Sequence, residues 1–383
     1  MAVRTRWRRA ATAVATTVAA GAFAAPALAA TPGDGDRHRA TLRAMEAAVN
    51  EDAPGVTAQA TDRHGPWNAA AGIGDLDRGT PRGEHDRYRV GSITKTFVAT
   101  VLLQLEAEGR LDLDDTVGKW LPGVVEGNGH DGDRITLRQL LNHTSGIFDV
   151  TSDGDFRQMV FTEDFLKHRY DTWTSEQLVA VAMRHKPDFA PGTAWKYSNT
   201  NYVLAGMIIE KATGTPYARQ IRQRVIKPLG LRATSVPGTD PAMPKPSSRA
   251  YTKLSDAPDA KNHDVTELNP SVAGAAGEMI SNSADLNRFY TALLRGRLLP
   301  KKQLAEMMTT VPKGDDQPGR RYGLGLEPFA TSCSTVAWGH GGGIHGSSSG
   351  AASTADGTHA LAVNFNGPSE SVPAVFDAEF CAP

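Results

Sequence analysis

The stretch from Ser92 to Gly109 carries the strongest helical pattern in the chain. It is apolar nearly all round through Phe97-Val98-Ala99-Thr100-Val101-Leu102-Leu103 and stops at a glycine. A helix with no polar face has no side to give to water, so this one is expected at the centre of the molecule. Before it, Leu42, Met45, Ala48 and Val49 space residues 36–50 as an amphipathic helix. Residues 55–61 and 67–73 are short strand-like runs joined by a His-Gly-Pro turn, which predicts a hairpin. From about residue 110 to 265 the pattern changes. Helical stretches at 137–141, 175–185, 201–213 and 217–225 are separated by loops rich in Gly, Asp and Pro, with no clear alternating strand. A helix at 283–294 then precedes strand-like runs at 321–326, 334–338, 346–354 and 359–365, spaced as an antiparallel meander, and a helix at 372–380 follows. Strands at both ends with helices between predict an α+β protein. Its antiparallel sheet, flanked by helices, would be assembled from residues 36–92 and 268–383, with a mostly helical domain, 93–267, inserted.

The first 29 residues stand apart. Arg4, Arg6, Arg8 and Arg9 open a basic start, an Ala/Val/Thr-rich run follows, and Ala27-Leu28-Ala29 offers a small-residue cleavage site. That is the pattern of a secretory signal peptide, so export is expected, without a stable membrane anchor. Four of the 41 basic residues lie there and no acidic one does, which leaves 37 against 42 acidic side chains, a net of about −5. No basic patch points to nucleic acid, and no later apolar run is long enough to span a membrane. With 40% hydrophobic residues the chain can bury a real core, which sets it apart from disordered and disulfide-built proteins. Cys333 and Cys381 are the two cysteines. In an exported protein a lone pair points to one disulfide, with two free thiols as the alternative.

The chemistry starts at the mouth of the central helix. Gly91 permits a tight turn, and Ser92 falls where free backbone N–H groups and the positive dipole end gather. Lys95 lies three residues on, so its ammonium shares a face with the Ser92 hydroxyl. This S-x-x-K occurs once in the chain. Tyr197-Ser198-Asn199 precedes the apolar helix 203–212; alone it reads as a helix entry with Asn199 as cap. Trp338-Gly339-His340-Gly341-Gly342-Gly343 leaves a predicted strand, and its glycines would let a substrate backbone lie close.

S-x-x-K, Y-x-N and H-x-G in that order resemble the serine acyl-enzyme family of class C β-lactamases and D-alanyl-D-alanine carboxypeptidases, most of all the secreted Streptomyces DD-peptidase type. Supporting stretches are Tyr88-Arg89-Val90-Gly91-Ser92, Leu141-Asn142-His143-Thr144-Ser145-Gly146 and Tyr322-Gly323-Leu324-Gly325-Leu326. The resemblance implies a β-lactamase/transpeptidase-like fold and a monomeric serine hydrolase without metal or cofactor, acting on D-alanyl peptides or β-lactams. Ser92 would be the nucleophile, with Lys95, Tyr197 and His340 in the proton relay. Lys95 and Tyr197 both stay open as the base. Asn199 and Gly341, Gly342 and Gly343 would bind substrate, and the N–H groups of Ser92 and Gly343 would hold the oxyanion. A D-alanyl-D-alanine carboxypeptidase is the first expectation; a β-lactamase, an esterase or a D-amino-acid amidase is the alternative, and a non-catalytic cell-wall sensor a further one.

One position departs from the pattern. Carboxypeptidases of this type carry a basic residue after Tyr-Gly-Leu-Gly-Leu, and here Glu327 stands there, next to a His-x-Gly motif without its usual threonines. An acidic group facing a substrate carboxylate would repel it. Either Glu327 weakens binding of free acids, or it points to solvent and another cation takes the role.

Overall fold

In the computed structural model, residues 37–381 are described, apart from 52, 256, 258, 259, 315 and 316. The expected signal segment, 1–29, lies outside the described residues. Seven strands form one antiparallel sheet: β1 (Gly55–Asp62), β2 (Gly65–Asp75), β3 (Thr80–Pro81), β4 (Glu327–Ala330), β5 (Val336–Ile344), β6 (Ser347–Thr354) and β7 (Ala360–Phe365). Their order is β4-β5-β6-β7-β1-β2-β3, so the two ends of the chain meet where β7 pairs with β1. The helices that border the sheet and the site are α1 (Arg39–Glu51), α2 (Thr94–Ala107), α3 (Ser175–Met183), α4 (Asn199–Thr213), α5 (Ser283–Leu294) and α6 (Val372–Phe380). This is the α+β arrangement expected from the sequence.

Period-two alternation places the sheet between two helical layers. Leu361, Val363 and Phe365 of β7 and Val56, Ala58 and Ala60 of β1 share one face and pack with Met45 of α1 and Val375, Phe376 and Phe380 of α6. Ala362 and Ala351 point the other way, toward α5 and the larger core around α2. There α5 is tied down by Asn287, whose Nδ2 donates to Gln59 O at 2.7 Å.

α2 is buried over its first ten residues. Its threonines survive burial because each is satisfied: Thr96 Oγ1 donates to Gly325 O at 2.7 Å and Thr100 Oγ1 to Thr96 O at 2.7 Å, while Thr94 Oγ1 accepts from Met279 N at 3.2 Å. Around α2 and α4 gather Leu137, Leu140 and Leu141, and Leu178 and Val179 of α3.

The structure corrects three local readings. Residues 321–326 are not one strand: Arg321–Tyr322 makes a short bridge, Gly325 turns at φ 66°, and the sheet strand starts at Glu327. The strand expected to end at Trp338 continues through the glycines to Ile344, because β6 pairs with it as far as Gly343↔Ser348 and Ile344↔Ser347. The helix expected at 217–225 widens after Ile221 into a π-turn, Arg222–Ile226.

Candidate active site

The site lies where the turn before α2, the start of α4 and the far end of β5 converge. Gly91–Ile93 is a 3-10 turn leading into α2. Gly91 has φ 52°, and a side chain there would meet Gly343 O at 2.6 Å, so only glycine lets β5 close against the nucleophile turn. Gly342 is required for the same contact, since its Cβ would sit 2.0 Å from Val90 O. Gly342 is thus packed on the protein's own backbone, and Gly341 is not among the residues that line the pocket. Gly343 is, beside Ser92.

Lys95 Nζ is fully buried among three oxygens: Ser92 Oγ at 2.9 Å, Asn199 Oδ1 at 2.8 Å and Ala276 O at 2.7 Å. Burial pushes the lysine down to about 7, with the Asp149 charge opposing. Its nearest ring is Tyr197, 4.8 Å from Nζ to centroid. Burial drives the Tyr197 phenol well above its ordinary value, a hydrogen bond with Ser92 pulls it back, and the carboxylates of Asp149 and Glu327 push it further up.

Asn199 does not cap α4 with its side chain. Its Nδ2 donates to both Asp149 oxygens and to Thr151 Oγ1, each at 3.3 Å, and its backbone N–H donates to Asp149 Oδ1 at 2.9 Å. With Oδ1 on Lys95, both ends of the amide have partners within the protein, and the side chain still lines the pocket beside Ser92. His340 is buried and one step removed from the relay. Its Nδ1 lies 2.5 Å from Gly341 O, a pure acceptor, so the proton is on Nδ1 and Nε2 accepts from Tyr322 Oη at 2.7 Å. Burial pushes His340 down to about 4 despite the pull of Glu327. It contacts Tyr322, whose ring is 6.4 Å from that of Tyr197.

Glu327 does not point to solvent and does not line the pocket at Ser92. It is buried at the start of β4 in an ion pair with Lys313, with Arg320 Nη2 at 3.6 Å. An ionised carboxylate in that position is tolerated only with such partners. The Lys313 ammonium in turn lies 5.5 Å from the centroids of Trp195 and Tyr322. Cys333 and Cys381 are joined, tying α6 to the turn before β5.

Three groups of the site have no assigned role in the sequence reading. Ala276 acts through its carbonyl, which leaves no mark in sequence. Asp149 is one aspartate among many in loops. His143 lies within a singled-out stretch; its ring is 4.2 Å from that of Tyr197, and its Nδ1 accepts from Ser198 N and Asn201 Nδ2, each at 3.2 Å. It holds φ 63°, a conformation rare outside glycine that persists only where the surroundings impose it.

A pocket of about 180 Å³ opens on Ser92, Tyr197, Asn199 and Gly343. Val150, Phe156, Val160, Phe161, Leu178 and Ile344 give it an apolar wall, and no carboxylate, lysine or arginine lines it among the described residues. Among those residues no group of three or more His, Cys, Asp or Glu could hold a metal, and no helix is long and apolar enough to cross a membrane.

Comparison with known proteins agrees with this geometry. A D-stereospecific amidohydrolase from Streptomyces sp. is 61% identical, with a TM-score of 0.86 over 90% of this chain and 99% of its own. A D-amino acid amidase from Ochrobactrum anthropi SV3, solved with D-phenylalanine, is 29% identical, with a TM-score of 0.78 over 91% and 98%. Penicillin-binding protein 4* of Bacillus subtilis (strain 168) is 30% identical over 61% of this chain and 51% of its own. The chain spans about half the length of the curated relatives it matches. Residues 39–382 match the Beta-lactamase family, and the chain belongs to that family of serine hydrolases.

Proposed function

We propose that the protein hydrolyses amides or esters of D-amino acids with bulky apolar side chains, through an acyl-enzyme on Ser92. The apolar pocket at Ser92 is the observation that carries this reading. Its volume is close to that of an apolar cavity of about 150 Å³ that accepts benzene, so an aromatic or branched side chain fits and a charged one would be buried without a partner. On the side of Tyr322 and His340, the Lys313 charge is neutralised by Glu327, which leaves it poorly suited to a free carboxylate on the leaving group. The likeness to a D-stereospecific amidohydrolase supports the same substrate class and its handedness. A carboxypeptidase would need a cation for the terminal carboxylate, and no lysine or arginine lines this pocket among the described residues.

Lys95 is the base in this reading. At pH 7 burial makes its neutral amine accessible, whereas Tyr197 is held as the phenol. A neutral amine donates two hydrogens. Asn199 Oδ1 and Ala276 O take them, and the lone pair is left for Ser92 Oγ. Ser92 attacks the carbonyl carbon as its proton passes to Lys95. Tyr197 gives its proton to the leaving nitrogen or oxygen and recovers one from Lys95. Water then reverses the sequence to free the acid. The N–H groups of Ser92 and Gly343 hold the oxyanion. Export after loss of residues 1–29, and action as a single chain, complete the proposal.

Initial rates on D-phenylalanine amide, its L-enantiomer and a peptide ending in D-Ala-D-Ala test it, with intact mass of acid-quenched enzyme run alongside. The D-amide should give the highest kcat/KM, with an acyl adduct that Ser92→Ala abolishes. Preference for the free-acid peptide or for the L-amide would overturn the substrate assignment.

A further inference from the structure

Asp149 is buried directly behind the relay and touches no reacting atom in the proposed chemistry. Its carboxylate gathers the Thr151 hydroxyl at 2.6 Å, the Thr151 N–H at 3.3 Å, and the backbone and side-chain N–H groups of Asn199. An amide has two faces, one donor and one acceptor. With Nδ2 held by the carboxylate, only Oδ1 can face Lys95. The flipped amide would set N–H against the lysine hydrogens and C=O against the carboxylate. Without Asp149 only the Lys95 hydrogens and the Thr151 hydroxyl would still favour this orientation.

We propose that Asp149 is the positioning residue of this site, fixing the orientation of Asn199 so that the Lys95 lone pair is aimed at Ser92. The proposal rests on the reading of Lys95 as the base. The groups that face Lys95 are few. Tyr197 and Tyr202 present their rings at 4.8 and 5.5 Å, and burial keeps both phenols protonated. His143 and His340 lie within electrostatic reach and are held neutral by burial. That leaves Asp149 as the charge that acts on the amine, and it favours the ammonium. Asp149 therefore has a kinetic signature that a helix cap lacks.

The test is the pH profile of kcat/KM for D-phenylalanine amide in Asp149→Asn, with thermal melts and the Ser92 adduct mass alongside. The variant keeps the shape and loses the charge. Its kcat should fall about 10- to 100-fold with KM little changed, as expected for a misaimed reacting group. Its acidic limb should move to lower pH by on the order of one unit, because the lysine loses its carboxylate. A lower melting temperature with the limb at the wild-type position would assign Asp149 to helix capping alone and overturn the proposal. Wild-type kcat would do the same. Should Asp149→Asn fail to fold, Thr151→Val removes one donor to the carboxylate and one acceptor for Asn199 Nδ2. A lower kcat at unchanged KM supports the proposal there, and an unchanged kcat contradicts it. Absence of any Ser92 adduct in wild type would defeat the reading of the site itself; an adduct together with an unmoved limb defeats only the role of Asp149.

Discussion

Two buried ionisable clusters, on opposite faces of the sheet, respond to burial in opposite ways. Lys95 sits among neutral oxygens, and burial wins, pushing it down to about 7. Glu379 of α6 is as deeply buried, yet His359 Nε2 at 2.7 Å, His38 Nδ1 at 3.0 Å and Thr41 Oγ1 at 2.6 Å converge on it. Burial alone would raise Glu379, but these bonds outweigh it and bring it down to about 2. Burial without charged or strongly donating partners makes a reactive group; burial with them makes a staple. The first cluster is poised to move protons, and the second joins α1, α6 and the turn before β7.

Removing the first group should cost chemistry and spare the fold. Lys95→Ala and Tyr197→Phe should each lower kcat by about 10²–10⁴-fold, the range for a lost proton-transfer group, with melting temperatures near wild type. A large drop in melting temperature on losing Lys95 would break the comparison. Removing the second should do the reverse. Because the folded value of Glu379 lies below its ordinary 4.5, its contribution is present above pH 4.5 and is lost as pH falls toward about 2. On linkage this is about 3 kcal/mol. Chemical denaturation of Glu379→Gln at pH 7 should show a loss of that order, shrinking as pH drops below 4.5, with kcat/KM unchanged; a pH-independent loss would show that the carboxylate charge is not what holds the staple.

The disulfide sharpens the same contrast, since it anchors the end of α6 at Cys381, two residues from Glu379. Ellman titration of denatured, unreduced protein should find almost no thiol. Cys333→Ser with Cys381→Ser should cost about 2 kcal/mol, the lower end for such crosslinks, and leave turnover alone. Two thiols per chain would contradict the pairing. The smallest expected effect is in the wild-type pH profile. Because neutral Lys95 is the active form, kcat/KM should rise about tenfold per pH unit below 7 and level off above it. A profile that rises only near pH 10 would contradict a Lys95 brought down by burial.

Much of this was legible in the chain because it repeats at short range. Ser92 and Lys95 share a helix face, α2 shows its burial in its composition, and the alternation in 359–365 marks the sheet. The structural roles of Asn199, Asp149 and Ala276 were not legible. Asn199 and Ala276 meet Lys95, and Asp149 acts on it from behind Asn199, across gaps of more than fifty residues, and Ala276 acts through backbone. Neither sequence reading of Glu327, facing a ligand carboxylate or facing solvent, includes its ion pair, because the partner Lys313 lies across a turn that no local pattern announces. The glycines of 339–343 read as a strand exit. In the fold Gly339 lets β5 lie against β6, and Gly342 lets it lie against the Val90 backbone, where a side chain would collide.

The central claim is that burial brings Lys95 down to about 7, so that a large share of it is amine at neutral pH. Its most direct test is an NMR titration of protein labelled at lysine ¹³Cε, with the Lys95 resonance assigned by its absence in Lys95→Ala. A midpoint near 7, well apart from the surface lysines, is the predicted result. A Lys95 resonance that titrates with the surface lysines above pH 10 would contradict it.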